Sequence, residues 1–443
     1  MRPELPGGPY LIVGLARSGA AAALALRGQG EQVIGLDRTA PVAAAELEAA
    51  GVELHTDGAG LELLDRVRCV VKSPGVPREA PIIAAALARE ISVIGELELG
   101  WRMLAGEFIA VTGTNGKTTT VELIGAIARA AGSPVAVAGN VGRAVSGLAA
   151  PPPFGAGPLA EGTTVVCEAS SFQLEDSVAF APEAAVLLNI EPDHLDRHHT
   201  LARYTEAKLR IFANQPASAI AVLPDALTDL AIPGGARRIS FGSASGCALR
   251  LTDGILRWEG KELIAAADVR LRGPLENAMA AAAVMLARGT APAAIIAALR
   301  SFPGVPHRLE EIATLDGVLY VNDSKATNIA STVAALRSFA PAAVRLILGG
   351  QGKGQDFSLL REAVATHADH TYLIGEDAEQ IADALQGLQT TRAGTLERAV
   401  ALARAGATGG MVVLLSPACA SFDQFDDFEQ RGEEFRALII GQA

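Results

Sequence analysis

The stretch Ala110-Val111-Thr112-Gly113-Thr114-Asn115-Gly116-Lys117-Thr118-Thr119 carries the residue types of a phosphate cradle. Glycines let consecutive backbone N–H groups turn inward on an anion, and a helix starting there adds partial positive charge. Lys117 would reach the terminal phosphates of a nucleoside triphosphate, and the Thr118 hydroxyl could sit on Mg²⁺. The spelling is not the standard Walker loop, because only two residues separate Gly113 from Gly116. The alternative is an ordinary glycine-rich β–α turn with a surface lysine.

Other residues could join this chemistry. Glu168 closes the apolar run Thr164-Val165-Val166-Cys167, where a second Mg²⁺ ligand is wanted; otherwise it is a helix N-terminal carboxylate. Glu191-Pro192-Asp193-His194-Leu195-Asp196-Arg197-His198 is dense in groups that ligate metals or move protons, with His194 favoured and His198 and His199 expected in a solvated turn. Tyr204, Lys208 and Ile211 share a helical face, and by spacing alone Lys208 is an ordinary solvated lysine. Near the N-terminus, Gly14-Leu15-Ala16-Arg17-Ser18-Gly19 follows an apolar run, and Asp37 ends the next one. That suits a nucleotide diphosphate, although a dinucleotide fingerprint would need a third glycine. Ser73-Pro74-Gly75 and Gly139-Asn140-Val141-Gly142 are loops able to contact a ligand. Asn277 could cap a helix or read a base edge. Asp323, Lys325 and Lys353 bring charge to strand ends late in the chain.

These residues need elements to position them. Tyr10–Val13, Val33–Asp37, Cys69–Lys72, Phe108–Val111, Val135–Ala138, Thr164–Cys167, Ala185–Ile190, Val318–Val321, Leu346–Leu348 and Met411–Leu415 read as buried strands, with helical segments between them. From about Pro216 to Arg272 the reading is short strands and turns at the edge of the central sheet. Strand, loop, helix in alternation predicts parallel α/β domains with their sites at the carboxyl edges of the strands. The 443 residues, half of them hydrophobic, exceed one core. The expected division is 1–100, 101–302 and 303–443, with a linker helix from Glu96 and a proline-containing linker at Ser301–Pro306. A formal net charge of −12 argues against nucleic acid. Four scattered cysteines indicate neither a zinc site nor a disulfide framework. There is no signal-peptide pattern and no apolar run long enough to span a bilayer, so the expectation is a cytoplasmic protein.

Taken together, the motifs resemble the Mur ligases, ATP-dependent amide-forming enzymes of peptidoglycan synthesis, from about Leu11 to Arg431. Thr112 through Thr119 looks like the ATP loop of the whole superfamily. Asn322-Asp323-Ser324-Lys325-Ala326-Thr327-Asn328, Ser416-Pro417-Ala418-Cys419-Ala420-Ser421-Phe422-Asp423-Gln424-Phe425 and Phe428-Glu429-Gln430-Arg431-Gly432 look like the branch that adds D-glutamate to UDP-N-acetylmuramoyl-L-alanine. The resemblance implies a Rossmann-like UDP-binding domain, a P-loop ATPase-like central domain, and a Rossmann-like C-terminal domain closing on ATP. By position, Leu15, Ala16, Arg17, Ser18, Asp37, Arg38, Ser73, Gly75 and Asn140 would hold the UDP-sugar. Thr114, Asn115, Gly116, Lys117, Thr118, Thr119, Asn277, Arg308 and Asp323 would hold ATP. Thr118 and Glu168 match one Mg²⁺ site; His194 and Lys208 match another, the lysine being carbamylated in the family. Thr327, Lys353, Ser421 and Phe428 would hold D-glutamate, and Lys117, His194 and Lys325 would be catalytic. Gln351-Gly352 departs from the family, where an acidic residue is common before the lysine. A monomer acting on small molecules is expected. Three rivals stay open: another ligase of the superfamily, a phosphate-loop kinase or NTPase, and a non-catalytic UDP-sugar-binding protein.

Overall fold

A computed structural model describes residues 2–56, 58–150, 157, 159–352 and 354–441, with the side chain of residue 196 left aside. The three prolines at 151–153 read as a surface loop and lie outside the described set. Among the described residues the strands form three sheets. The chain divides into two compact units, residues 1–269 with 275–302, and residues 303–443 with 270–274.

The first unit holds two sheets. One comprises β1 (Tyr10–Val13), β2 (Val33–Asp37), β3 (Glu53–Thr56), β4 (Cys69–Lys72) and β5 (Ser92–Gly95), all parallel, in the order β3-β2-β1-β4-β5. Leu11, Ile12 and Val70 are fully buried, because a parallel sheet covered on both faces needs continuous apolar strands. The strand order reverses beside β1, so the Gly14 and Ser73 turns flank one crevice. The alanine-rich stretch after β1 forms the helix Arg17–Gly28.

The second sheet contains β6 (Phe108–Thr112), β7 (Val135–Gly139), β8 (Thr164–Glu168), β9 (Ala184–Leu187), β10 (Ile220–Pro224), β11 (Arg237–Gly242), β12 (Leu249–Thr252), β13 (Ile255–Trp258) and β14 (Lys261–Ala265). Its order is β14-β13-β12-β11-β10-β9-β6-β8-β7, parallel up to β12 and antiparallel beyond. The edge strands expected after Pro216 are therefore present. β6 is central and fully buried, and the helix Lys117–Ala130 packs against β7 and β8 and against the alanine-rich helix Leu275–Ala287. The predicted strand 185–190 ends early, at Leu187. Asn189 leaves the ladder because its carboxamide is used elsewhere, as described below.

The second unit carries β15 (Glu310–Leu315), β16 (Val318–Asn322), β17 (Val344–Gly349), β18 (Ala368–Ile374), β19 (Thr390–Gly394) and β20 (Val412–Leu415) in the order β15-β16-β20-β17-β18-β19. The sheet is not parallel throughout. β15 and β16 are antiparallel neighbours joined at Asp316-Gly317, where both residues take positive φ, so the chain reverses without a crossover helix. β16, β20 and β17, each expected to end in a polar or glycine-rich loop, lie side by side, so their loops emerge at one edge.

Candidate functional site

β6 delivers the phosphate loop and the helix Lys117–Ala130 continues it. Gly116 takes φ +86°, and a Cβ there would come 2.2 Å from Asn277 Oδ1. Glycine is required for both reasons, and Asn277 is placed against the loop. Lys117 Nζ donates to the carbonyls of Gly113 and Thr114, each at 2.9 Å, so it arches over its own loop. The Asn189 carboxamide oxygen accepts from Thr114 N and Asn115 N, both at 2.9 Å, and its Nδ2 donates to Asn115 O at 3.2 Å. The Thr114 hydroxyl lies 3.2 Å from the Tyr204 hydroxyl and accepts from Glu191 N at 2.9 Å. Sequence reasoning missed Asn189 and Tyr204 as loop supports; the available signal was a carboxamide closing an apolar run just before Glu191.

Beneath the loop, Thr118 Oγ1 donates to Glu168 Oε2 at 2.6 Å, and Asn140 Nδ2 donates to Glu168 Oε1 at 3.2 Å. Glu168 is buried. A hydroxyl and a buried carboxylate form a hard oxygen pair suited to Mg²⁺, which completes its shell with water and substrate phosphates. Among the described residues no three of His, Cys, Asp and Glu cluster as a ready-made metal site, so Thr118 and phosphate oxygens would be needed.

Lys208 departs from the solvated lysine its spacing suggests. It is 1% exposed, donates from Nζ to Gly113 O at 2.8 Å, and lies 4.4 Å from the Tyr204 ring centroid. Burial, reinforced by the Lys117 cation, lowers its pKa to about 6, against the pull of Asp193 and Glu168. Its amine is therefore largely neutral at pH 7. An amine nitrogen is a poor Mg²⁺ ligand; a carbamate on it would present oxygen.

His194 sits at φ +51° with a half-exposed side chain, its ring 4.7 Å from that of Phe172. Phe172 also takes the Arg197 guanidinium at 4.8 Å and stacks on His198 at 5.4 Å. His198 is not in a solvated turn: it is buried, its Nε2 lies 3.0 Å from Ser171 Oγ, and burial lowers its pKa. One aromatic ring thus organises the short helix Leu195–His198; His199 is exposed as expected.

Around β1, Asp37 Oδ2 accepts from Leu15 N at 2.5 Å and Oδ1 from Arg38 N at 2.6 Å, while Ser73 Oγ donates to Gly14 O at 2.7 Å. Gly19 must be glycine, since a Cβ would lie 1.8 Å from Gly14 O. Ala16, Arg17, Arg38 and Gly75 are exposed, Ser18 is half-buried, and buried Leu15 can offer a ligand only its backbone. A buried ion pair ties the Ser73 turn to the segment before His194. Lys72 Nζ, fully buried, sits 2.6 Å from Asp176 Oδ2 and donates to Val76 O at 2.7 Å. Arg197 pairs with Glu175 and donates to Val76 O at 3.1 Å. The sequence reading contained no hint of this pairing.

In the second unit Asp323 is buried, accepting from Leu309 N at 3.1 Å and Ser416 Oγ at 2.8 Å. Desolvation raises its pKa to about 7, opposed by Arg308. Arg308 Nε is buried with no hydrogen-bond partner among the described residues. Lys325 Nζ stands 5.5 Å from the Phe428 ring centroid, and Ser324 Oγ donates to Phe428 O at 2.8 Å. Arg431, 1% exposed, donates to Ser324 O at 2.7 Å and Cys419 O at 3.1 Å, clamping the loops after β16 and β20. Thr327 is half-buried and Ser421 buried in those loops; Lys353 lies outside the described residues.

A strand–glycine loop–helix cradle above a hydroxyl–carboxylate pair, in a chain of parallel α/β sheets, defines an α/β phosphate-loop protein. The chain belongs to the Mur ligase family. Residues 9–95 match the Mur ligase MurD-like N-terminal domain, 111–285 the Mur ligase middle domain, and 307–419 the Mur ligase glutamate ligase domain. It is 40% identical to the UDP-N-acetylmuramoylalanine–D-glutamate ligase of Acidobacterium capsulatum, over 99% of this chain and 97% of that one. It is 41% identical to the ligase of the same name from Geotalea uraniireducens, over 98% of each. Among solved structures, the UDP-N-acetylmuramate-alanine ligase MurC of Thermotoga maritima superimposes with a TM-score of 0.64 at 19% identity, covering 98% of this chain and all of that one. The bifunctional folylpolyglutamate synthase/dihydrofolate synthase of Yersinia pestis, complexed with AMPPNP and a Mn ion, gives 0.58 at 18% identity, covering 78% of this chain and 92% of that one. These last two likenesses concern the fold.

Proposed function

We propose that this chain is the ATP-dependent ligase that joins D-glutamate to UDP-N-acetylmuramoyl-L-alanine in peptidoglycan precursor synthesis. The observation that carries the reading is near-full-length identity of about two residues in five to ligases of that name. The phosphate loop, the Thr118–Glu168 pair and the strand-end loops of the second unit support it chemically. The three segments divide the labour: residues 1–100 hold the UDP-sugar, 101–302 hold ATP, and 303–443 serve the nucleotide and the amino acid.

The alanyl carboxylate attacks the γ-phosphorus of ATP; the bond from that phosphorus to the β,γ-bridging oxygen breaks, leaving an acyl phosphate and ADP. Lys117 and Lys325 stabilise the charge spread over the transferred phosphoryl group. Mg²⁺, bound by Thr118 and Glu168 and at a second site by His194 and Lys208, would neutralise phosphate charge. Asn277, Arg308 and Asp323 serve the nucleotide. The D-glutamate amine then attacks the acyl carbon, phosphate leaves from the tetrahedral intermediate, and the amine loses its proton. Thr327, Lys353, Ser421 and Phe428 hold the amino acid. Water must be excluded while the acyl phosphate exists.

Lys208 enters as a carbamate. Its neutral amine can add CO₂ and lose a proton, which turns a buried amine into an oxygen ligand. No helix among the described residues is long and apolar enough to cross a membrane, and the reading is of a monomeric cytoplasmic enzyme. The test is phosphate release from ATP and Mg²⁺. Release that needs both UDP-N-acetylmuramoyl-L-alanine and D-glutamate, with L-glutamate inactive, is expected. Release indifferent to glutamate would instead mark a kinase or NTPase.

A further inference from the structure

The second unit gathers three loops at one sheet edge, after β16, β17 and β20, and one side chain bonds to all three. Gln355 Oε1 accepts from Ile329 N at 3.2 Å, at the start of the helix Ile329–Ser338 that follows Thr327. Its Nε2 donates to Gly352 O at 2.9 Å, one residue before Lys353, and to Ala418 O at 3.0 Å, in the loop leading to Ser421. A glutamine carboxamide has two N–H donors and one carbonyl acceptor, so each capacity is directed to a different loop.

The neighbourhood leaves these loops little other choice. The Gly352 N–H is held by Asp377 Oδ2 at 2.5 Å, so this peptide is gripped on both faces. A Cβ at Gly352 would meet the Phe357 ring at 2.4 Å. Gln351 and Ala420 exchange backbone hydrogen bonds of 3.0 and 2.9 Å, joining the β17 and β20 loops. Ala418 adopts φ +57°, a conformation an alanine keeps only when its surroundings impose it. Arg431 clamps the β16 loop to the β20 loop, and Gln355 adds the link from both to the β17 loop.

We infer that Gln355 is a positioning residue for the amino-acid substrate, setting the mutual register of the loops after β16, β17 and β20, two of which carry Thr327 and Ser421, without touching the substrate. This rests on the D-glutamate ligase reading above.

The test uses the full chain with Gln355→Met, equal in length and unable to bond, and Gln355→Glu. Initial rates are measured while D-glutamate, ATP and the UDP-sugar are varied in turn. Gln355→Met should raise KM for D-glutamate by about tenfold, equivalent to the net strength of roughly one hydrogen bond, with the other two KM values and the melting temperature nearly unchanged. Gln355→Glu keeps the acceptor for Ile329 but faces two carbonyls. Its defect in KM for D-glutamate should shrink as pH falls and the carboxyl regains a donor. Unchanged KM for D-glutamate in both variants, or a uniform loss in all three KM values together with melting temperature, overturns the inference. A wild-type chain that releases phosphate without D-glutamate overturns the ligase reading itself, and the inference with it.

Discussion

Replacing Asp323 by asparagine should stabilise the protein, and increasingly so as pH rises. In the folded chain the Asp323 carboxyl titrates at about 7, against 3.8 when unfolded, because burial disfavours its anion more than Arg308, Ser416 and Leu309 N favour it. Below pH 3.8 both states hold the proton and the group is silent. Between 3.8 and 7 the unfolded carboxyl ionises while the folded one keeps its proton, so the folded state binds more protons and stability falls with rising pH. Above 7 the penalty is constant, at roughly three pKa units or ~4 kcal/mol. From pH 5 to pH 8 the difference between Asp323→Asn and wild type should widen by ~2.5 kcal/mol, since asparagine does not titrate. For a unit of this size that is a melting-temperature gap growing by roughly 5 °C or more. The assay is calorimetric melting of both proteins in half-unit pH steps. A gap that stays flat, or a wild type that gains on the variant as pH rises, would show that Asp323 is an ordinary ionised carboxylate and that its burial is offset in full.

Four other outcomes are expected. Lys117→Ala should abolish turnover and leave the melting temperature within a degree or two, with Nζ of the wild-type lysine donating to the Gly113 and Thr114 carbonyls of its own loop; wild-type-like activity would reject the phosphate-loop assignment. Asp176→Ala should cost about 1–3 kcal/mol by leaving buried Lys72 with Glu175, at 3.8 Å, as its carboxylate partner, and Lys72→Met in the same chain should recover most of it in denaturant melts. Gly116→Ala should weaken ATP binding and lower stability by roughly 1–3 kcal/mol, given the positive φ and the Asn277 oxygen, as calorimetric titration would show. Isotope-labelled bicarbonate should place a carbamate signal on the wild-type chain that Lys208→Arg lacks; the same signal in both would move the modification elsewhere.

Most of the architecture was legible from residue order. Continuous apolar runs such as Phe108–Thr112 and Val412–Leu415 fit only strands covered on both faces, and polar loops at their carboxyl ends place chemistry at sheet edges. The shortfalls share a cause. The run through Ile190 looked like a longer strand because periodicity cannot show that Asn189 turns to the phosphate-loop amides. His198 looked solvated because the Phe172 ring that covers it lies 26 residues upstream. β15 runs antiparallel because a two-residue turn needs no crossover, and its half-buried strand carries no direction in its pattern.

The chain's own order of residues determined the phosphate cradle, the parallel α/β plan, the strand-end motifs and, through those motifs, the family. These are local properties: a glycine turn, a helix start and a buried strand are each written within a dozen residues. Tertiary structure alone decided which polar groups became dry and which met. Lys208 is an amine whose pKa falls to about 6 and Asp323 a carboxyl titrating near 7 only because distant segments exclude water from them. Lys72 found Asp176, and Gln355 found two loops besides its own, across separations that no spacing rule reaches. Desolvation and long-range hydrogen bonding depend on what packs from elsewhere in the chain, so they come into being only with the fold.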